Sequence, residues 1–419
     1  MVLEIQLTNF FSIKDTVILD LRAGNINTEK SRALIENTFP FDDIDVLKTI
    51  AIYGANASGK SNIIEAIRFC NAMIFKSHNH NENTVFNYHP FKFDGFNGKP
   101  STYSIRFVIQ GIEYLYSYTL TRTEILKESL YYYPSGRIAK VFERDEKVGK
   151  TKKDKYSFGT SVIKRPYDVA DSTSNKTLFI SRASQMDRAI PKDVFNFFNR
   201  SFILHYRRYS HRHVNMLIKN YKDPLLKALQ LADSDIIDFQ QKITKSKGKN
   251  IRANFETEDV SFQDTEIENL EIKTFHKSSP HTPFNFQTEE SAGTIKLFWM
   301  MLIILDVVRN NKILLIDEIG DSLHVKMIEY IIQIFNTGSQ AQLIFSTHNT
   351  SILDLDKFRK DQVWFVNKKM DGSSDLYSLY DYGDFRDTMN VEKAYLQGRF
   401  DSIPIIDNSK EKLNELIHN

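Results

Sequence analysis

A glycine-rich run at residues 54–61 has residue types and spacing suited to binding phosphate groups. The run Gly54-Ala-Asn-Ala-Ser-Gly59-Lys60-Ser61 fits the pattern G-x-x-x-x-G-K-[ST]. Two glycines let the backbone curl so that its N–H groups point at phosphate oxygens, and the positive N-terminus of the following helix faces the same place. Lys60 would reach the β- and γ-phosphates, and the Ser61 hydroxyl would bind Mg²⁺. The predicted phosphate-binding set is Gly54, Ala55, Asn56, Ala57, Ser58, Gly59, Lys60, Ser61 and Asn62.

The sequence on either side of this loop predicts the elements that would position it. Residues 49–53 are short, apolar and rich in β-branched side chains, which is typical of a buried strand. Residues 62–68 carry apolar side chains at helical spacing. A chance turn rich in glycine and serine is the alternative, but a strand, a glycine loop and a helix in this order are the context that a phosphate-binding loop requires.

A pair of carboxylates lies at the end of another apolar run. The run Lys312-Ile-Leu-Leu-Ile-Asp317-Glu318 follows the Walker B pattern. Asp317 is predicted at the carboxyl end of a buried strand, where Mg²⁺ would be bound. Glu318 is placed to polarise the attacking water as a general base. A strand that ends in a solvated acidic turn is the alternative, and the phosphate-binding loop upstream argues against it.

A histidine follows a further strand pattern at residues 342–345. The run Ser346-Thr-His348 places this histidine 30 residues beyond Glu318, at a position that suits a switch contacting the γ-phosphate. A hydrogen-bonded loop histidine is the alternative interpretation. With Glu318 and Lys60, His348 completes the catalytic set that we predict.

The run Ser291-Ala-Gly293-Thr precedes a strongly apolar helix pattern at residues 295–308. Serine and glycine at a helix start make an anion-binding end, because the backbone N–H groups there lack partners within the helix. The same residues are compatible with a simple N-cap, in which the preceding glutamates favour the helix dipole.

Composition excludes several classes of protein. The chain has 419 residues, a net charge of +2 and 26% charged residues, so any nucleic-acid or membrane contact must come from local patches. The single cysteine, Cys70, cannot form an internal disulfide, which fits a reducing cytoplasm. The most apolar run, residues 297–305, is too short to span a bilayer. We therefore expect a cytoplasmic protein without a membrane partner.

The distribution of patterns along the chain predicts four parts. These are an N-terminal ATPase lobe (1–80), an antiparallel β subdomain (81–160), a mainly helical insert (161–280) and a C-terminal ATPase lobe (281–419). Lysine-rich loops are expected at 147–155 and 242–252. The sequence shows no internal repeat and no heptad run of coiled-coil length.

The order of these motifs resembles the ABC-type ATPases of the SMC and OLD kind. In more detail the chain is similar to the compact AAA-named ATPases of bacterial abortive-infection systems, the AbiL/RloA type. The opening Asn9-Phe-Phe-Ser, Asp321-Ser-Leu-His324 and the tail run Tyr395-Leu-Gln-Gly-Arg399 add to the resemblance. It implies an α/β fold: an ABC-type P-loop NTPase head with an antiparallel β subdomain, an inserted helical region and no long coiled coil.

The resemblance also implies a mechanism. Two chains would sandwich two ATP molecules, and Ser291 and Gly293 of one chain would contact the nucleotide held by the other. Gln185, in the run Leu178-Phe-Ile-Ser-Arg-Ala-Ser-Gln185, would fill the Q-loop role beyond a strand, near water and Mg²⁺. The implied metal ligands are Ser61, Asp317 and Gln185. Such ATPases act with a separate effector protein encoded nearby, and the implied role is a switch or sensor in antiphage defence.

Residues 205–213 leave other functions open. The run His205-Tyr-Arg-Arg-Tyr-Ser-His-Arg-His213 interleaves basic and aromatic residues, as contact with nucleic acid would need. Arg207 and His213 also match the loose R-x(4–6)-H spacing of HEPN ribonucleases. The alternatives to a defence switch are therefore a DNA-repair or SMC-like ATPase and an RNA-cleaving toxin regulated by its ATPase. The two lysine-rich loops are more simply explained as solvated surface.

Overall fold

The computed structural model describes residues 1–204, 210–231, 235–254, 259–321, 323–386 and 388–403, with Lys412 and Ile417; over 247–254 and 259–267 it describes the backbone alone. The chain divides into two compact units. The first contains residues 1–204, 311–320 and 328–419, and the second contains residues 205–310 and 321–327.

The first unit contains most of the regular structure. Its strands are β1 (Val2–Thr8), β2 (Val17–Asp20), β3 (Thr38–Phe41), β4 (Ile44–Leu47), β5 (Thr49–Gly54), β6 (Ser101–Ile109), β7 (Ile112–Leu120), β8 (Ile125–Tyr133), β9 (Ala139–Asp145), β10 (Tyr156–Phe158) and β11 (Phe202–Ile203), and then β15 (Ile313–Ile316), β16 (Gln342–Ser346), β17 (Val363–Lys368) and β18 (Ser374–Ser378). Its helices are α1 (Glu29–Ala33), α2 (Lys60–Lys76), α3 (Lys152–Lys155), α4 (Pro166–Asp171), α5 (Phe179–Gln185), α6 (Ala189–Asn196), α9 (Val325–Asn336, from Ile328 onward) and α10 (Val391–Leu396).

The second unit combines helices with a three-stranded antiparallel sheet. Its elements are α7 (His211–Leu231), β12 (Ile236–Asn254), β13 (Asp259–His276), β14 (Ser279–Asn285) and α8 (Ala292–Arg309). The strands lie in the order β12-β13-β14.

A six-stranded sheet in the first unit brings the sequence motifs to one edge. Its order is β11-β15-β16-β5-β17-β18; the first five strands are parallel, and β18 is antiparallel to β17. Every residue of β5, β15 and β16 is buried, as expected for parallel strands covered on both faces. Because parallel strands end at the same edge, the segments that follow β5, β15 and β16 lie side by side.

A seven-stranded antiparallel sheet covers the helix that follows the phosphate-binding loop. Its order is β10-β9-β8-β7-β6-β1-β2. From β6, Tyr103 donates a hydrogen bond of 2.8 Å to the side-chain oxygen of Asn71 on α2, and from β7, Tyr118 donates one of 2.9 Å to the carbonyl of Cys70. The opposite side of α2 contacts β5 and β16. Helix α2 therefore lies between the two sheets, within one apolar core.

A buried ion pair fastens the antiparallel sheet to α5. The side chains of Glu128 and Arg144 are both fully buried, 3.6 Å apart. Glu128 accepts hydrogen bonds from the N–H groups of Phe179 and Ile180 at the start of α5, at 2.6 and 3.0 Å. Arg144 donates to the carbonyl of Thr177 at 2.7 Å. Glu128 and Arg144 thus fix the backbone at the beginning of α5 through hydrogen bonds.

We expect Arg144→Met to lower the free energy of unfolding by about 3–5 kcal/mol, because it leaves the Glu128 carboxylate buried without its cation. The measurement is urea denaturation at neutral pH. The double variant Glu128→Gln/Arg144→Met removes both charges, so it is expected to be more stable than Arg144→Met alone. Equal stability of these two variants would contradict the explanation.

The structure differs from four expectations about the organisation of the chain. The predicted β subdomain, 81–160, is not separate from the N-terminal lobe, because β6–β10 share a sheet with β1 and β2. The predicted helical insert, 161–280, contains helices α4 to α7 but ends in strands β12 to β14. The predicted lysine-rich loop at 147–155 contains the short helix α3, whose capping box joins Thr151 and Asp154.

The second predicted lysine-rich loop, 242–252, lies within β12. Lysine has a low intrinsic preference for strands, so the composition of this segment favours a loop. The segment forms a strand nonetheless, because its backbone pairs in continuous register with β13. The lysine positions and the acidic positions directly across from them are Lys242 and Glu271, Lys245 and Glu268, Lys247 and Glu266, and Lys249 and Asp264.

Candidate functional site

The loop between β5 and α2 has the backbone of a phosphate-binding loop. Ala57 and Gly59 have positive φ angles, of 63° and 111°. A Cβ on Gly59 would lie 2.0 Å from the hydroxyl of Ser374, and one on Gly54 would lie 2.6 Å from the carbonyl oxygen of Val366. Only glycine therefore fits either position. The remaining predicted residues follow in order, with Ala55, Asn56 and Ser58 in the loop and Lys60, Ser61 and Asn62 opening α2.

The side chain of Lys60 is hydrogen-bonded to backbone carbonyls of the loop. A bound phosphate would replace these carbonyls as its partner. The Lys60 ammonium donates to the carbonyl oxygens of Gly54 and Ala55, at 2.9 and 3.1 Å, and lies 3.8 Å from a carboxylate oxygen of Glu318. Burial lowers the pKa of Lys60, and the carboxylates of Glu318 and Asp317 oppose that effect. The side chain is 5% exposed, so its charge acts with little screening by water.

Two oxygens suited to a divalent cation meet at the carboxyl end of β15. The Ser61 hydroxyl donates to a carboxylate oxygen of Asp317 at 3.3 Å. Hydroxyl and carboxylate oxygens are the hard ligands that Mg²⁺ prefers, so this pair fits the ion. Among the described residues, no group of three or more His, Cys, Asp and Glu side chains could hold a metal.

Glu318 lies between the cation of Lys60 and the predicted switch histidine. One carboxylate oxygen faces Lys60, and the other lies 2.8 Å from Nδ1 of His348. Glu318 has a φ of 52°, a conformation that costs energy for a residue with a Cβ and is concentrated at functional sites. The structure therefore brings together Lys60, Ser61, Asp317, Glu318 and His348.

Ser346 orients both Asp317 and Glu318, although the sequence motifs assign it no role. Its hydroxyl donates to Asp317 at 2.6 Å and accepts from the N–H of Glu318 at 2.8 Å. It is the last residue of β16, the strand next to β15. The sequence does show a serine at the end of the strand before His348, and this position could have indicated a contact with Asp317.

We expect Ser346→Ala to lower ATP turnover about 10- to 100-fold, since hydrogen bonds to charged groups contribute about 1.5–3 kcal/mol. The loss should appear partly as a higher Mg²⁺ concentration for half-maximal rate, because Asp317 loses the donor that fixes its carboxylate. Steady-state phosphate release over a Mg²⁺ titration measures both effects. Ser135→Ala, in an exposed turn, is the control. Identical Mg²⁺ curves for Ser346→Ala and the control would contradict this role.

The hydroxyls of Ser374 and Ser12 also form hydrogen bonds that stabilise the phosphate-binding loop. The hydroxyl of Ser374, at the start of β18, donates to the carbonyl oxygen of Ser58 at 2.6 Å and lies 2.7 Å from the hydroxyl of Ser12. Asn62 donates to the same Ser12 hydroxyl at 2.8 Å. Ser12 belongs to the run Asn9-Phe-Phe-Ser, so the motif was visible in the sequence, but its contact with β18 was not.

Ser291 and Gly293, the signature residues of the ABC-type resemblance, open helix α8 in the second unit. Ser291 is the N-cap, and its hydroxyl accepts from the N–H of Thr294 at 3.0 Å. Ser291 is exposed, and Gly293 lies in the first turn of the helix. The N-cap interpretation is thus correct for the isolated chain. An N-cap remains compatible with anion binding, because the other N–H groups of the first turn keep no helical partner.

The comparison with protein families identifies the group to which these motifs belong. Residues 50–354 match the family described as "AAA domain, putative AbiEii toxin, Type IV TA system". The chain belongs to this AAA family. The match extends from the strand before the phosphate-binding loop to beyond His348, so it includes every motif at the edge of the six-stranded sheet.

Solved structures with similar folds are head domains of SMC proteins. The SMC head bound to the C-terminal winged-helix domain of ScpA is 15% identical, over 94% of this chain and 99% of that chain, with a TM-score of 0.39. The SMC head from Thermotoga maritima is 13% identical, over 90% and 98%, with a TM-score of 0.38. No curated protein matched the chain significantly.

The chain is therefore a P-loop protein of the AAA family. Its fold class, an α/β P-loop ATPase head with an antiparallel β sheet, follows from the strand order and from the motifs that follow β5, β15 and β16. The longest helix among the described residues, α7, has 21 residues, and the described part shows no long coiled coil. The described helices include none that is long and apolar enough to cross a membrane.

In this AAA ATPase, Gln185 does not lie beyond a strand. It is the last residue of helix α5, and it is exposed. Ser181, one helical turn earlier, bonds the N–H of His78, which follows the C-terminal end of α2. Helix α2 has 17 residues and is about 25 Å long, and Ser61 lies at its other end. The structure thus does not bring Gln185 to Ser61 and Asp317.

Some basic side chains in the predicted nucleic-acid patches already form ion pairs with carboxylates of this chain. Residues 205–209, including Arg207, lie outside the described residues, so pairing of Arg207 with His213 stays a prediction. Arg212 forms a two-pronged ion pair with Glu268 on β13, and His211 contacts the backbone of the same residue. In the other loop, Lys155 pairs with Glu146 at 2.9 Å.

Proposed function

We propose that the chain binds ATP with Mg²⁺ and hydrolyses it to ADP and phosphate. The observation that carries this proposal is the meeting of Lys60, Ser61, Asp317, Glu318 and His348 at one edge of the six-stranded sheet. Membership of the AAA family supports it independently, because the matched region contains all five residues.

Each residue has a role that its contacts support. Lys60 binds the β- and γ-phosphates, which replace the carbonyls of Gly54 and Ala55 as partners of its ammonium. Ser61 and Asp317 hold Mg²⁺, which neutralises phosphate charge when bound. Glu318 accepts a proton from the attacking water. His348 keeps the Glu318 carboxylate oriented and contacts the γ-phosphate.

The signature residues require a second chain in this proposal. Two chains bind head to tail, and Ser291 and Gly293 of one complete the site formed by Lys60 and Glu318 of the other. The exposed N-terminus of α8 supports this, since the N–H groups in the first turn of a helix bind anions. Preferential binding of ATP to the closed dimer drives the switch.

The biological role that fits best is a cytoplasmic switch in antiphage defence that acts on a separate effector. The family description, which refers to type IV toxin–antitoxin systems, supports this role, as does the resemblance to the AbiL/RloA type. The test is plaque formation on cells that express the chain with its genetic neighbours. We expect fewer plaques, and loss of this protection in Lys60→Ala at equal protein level. A growth defect without phage, together with DNA-stimulated turnover, would favour a repair ATPase instead.

A further inference from the structure

A buried carboxylate holds the chain immediately before the signature helix. Glu290 precedes the N-cap Ser291, and its side chain is 7% exposed. Its Oε1 accepts a hydrogen bond from the hydroxyl of Thr274 and lies 2.8 Å from Nε2 of His276. The other ring nitrogen of His276 lies 2.8 Å from Asp235. Two carboxylates thus face the two nitrogens of one imidazole.

This arrangement requires the protonated form of the histidine. Carboxylates only accept hydrogen bonds, so both ring nitrogens of His276 must donate, as they do in imidazolium. Burial lowers the pKa of His276, but its hydrogen bonds to Asp235 and Glu290 outweigh burial and raise it. In that form His276 is a cation shared by two acidic residues, and charge-assisted hydrogen bonds of this kind are the strong ones.

The cluster lies at the base of the long β12–β13 hairpin. Asp235 immediately precedes β12, and His276 ends β13, where it is paired with Ile236. The hairpin extends from this base for 18 residues of β13, which corresponds to about 60 Å. Phe239 on β12 contacts Phe298 on α8, with ring centroids 5.2 Å apart. The base of the hairpin therefore packs against α8.

We infer that His276 is a positioning residue: through Glu290 it places Ser291 and Gly293 for contact with nucleotide, and it couples the β12–β13 hairpin to that contact. This inference rests on the ATP sandwich proposed above. His276 does not touch the nucleotide itself. A change of the hairpin at its base moves Glu290, and Ser291 follows because it is the next residue along the chain.

The expected effect is a loss of turnover without a loss of ATP binding. His276→Ala should lower kcat about 10- to 100-fold, because a shift of about 1 Å in a positioning element can cost that much. ATP binding by the isolated chain should stay at the wild-type level, since Lys60 and Ser61 belong to the other unit. His276→Gln keeps an N–H donor for Glu290 and should retain more activity. His281→Ala, an exposed histidine on β14, is the matched control.

Mixing two impaired variants tests the inference most sharply. Lys60→Ala supplies an intact signature, and His276→Ala supplies an intact phosphate-binding loop. A mixed dimer has one site in which both are intact, so the mixture should hydrolyse ATP well above the sum of the separate variants. Ser291→Ala mixed with Lys60→Ala is the positive control. Unchanged melting temperatures confirm that each variant folds, and His276→Gln replaces His276→Ala if the latter does not.

The possible outcomes are distinct. Recovery in both mixtures supports the inference. Recovery with Ser291→Ala but not with His276→Ala overturns it, as does a wild-type kcat for His276→Ala. No recovery with Ser291→Ala refutes the ATP sandwich itself, and the inference about His276 falls with it.

Discussion

We expect the Glu318→Gln variant to lose ATP turnover and to retain ATP binding. It should also accumulate as a dimer when ATP is present. Glutamine keeps the size of glutamate but cannot accept a proton from water at neutral pH. Loss of a general base lowers kcat by about 10²–10⁴-fold. ATP still binds because Lys60, Ser61 and Asp317 are unchanged. The dimer accumulates because hydrolysis no longer returns it to the open state.

Three measurements separate these effects. Phosphate release gives turnover, titration with a fluorescent ATP analogue gives affinity, and light scattering during size exclusion gives the mass with and without ATP. Glu329→Gln on α9, which removes a surface ion pair with Lys357, is the control and should behave as wild type. A Glu318→Gln chain that stays monomeric at saturating ATP would refute the sandwich. A variant with wild-type turnover would exclude Glu318 as the base.

The centre of the fold could be predicted from the sequence because its signals are local. Residues 49–53 were predicted as a buried strand, and β5 is Thr49–Gly54. The segments after β5, β15 and β16 meet because parallel strands share an edge, so the proximity of Lys60, Asp317 and His348 followed from strand identity alone. The proximity of these three residues can therefore be predicted without knowing how the rest of the chain folds.

The errors concern segments whose structure is decided by distant partners. The lysine-rich stretch at 242–252 is a strand because its backbone pairs along its length with β13. The run at 178–185 was read as a strand from its first apolar residues, but α5 forms where Glu128 accepts the N–H groups of Phe179 and Ile180. The contact between Ser12 and Ser374 joins residues 362 positions apart. Periodicity within a short window carries no information on such partners.

The second large effect is expected from Lys60→Ala, which should lower the affinity for ATP about 100-fold. The ammonium of Lys60 is nearly buried. It donates hydrogen bonds to the carbonyl oxygens of Gly54 and Ala55 and lies near the carboxylate of Glu318. Hydrogen bonds to charged groups contribute about 1.5–3 kcal/mol, and the upper value corresponds to about two orders of magnitude in affinity. Calorimetric titration with ATP and Mg²⁺ measures the change.

Lys76→Ala is the matched control, because Lys76 lies at the opposite end of α2 and is exposed. It should bind ATP as the wild type does and should melt at the same temperature. Lys60→Arg distinguishes charge from shape: its bulkier guanidinium must occupy a site that is almost closed to solvent, so restored charge alone should not restore affinity. Unchanged affinity in Lys60→Ala would remove Lys60 from its role. Because Glu318→Gln should bind but not hydrolyse and Lys60→Ala should not bind, the two variants together separate the binding step from the chemical step.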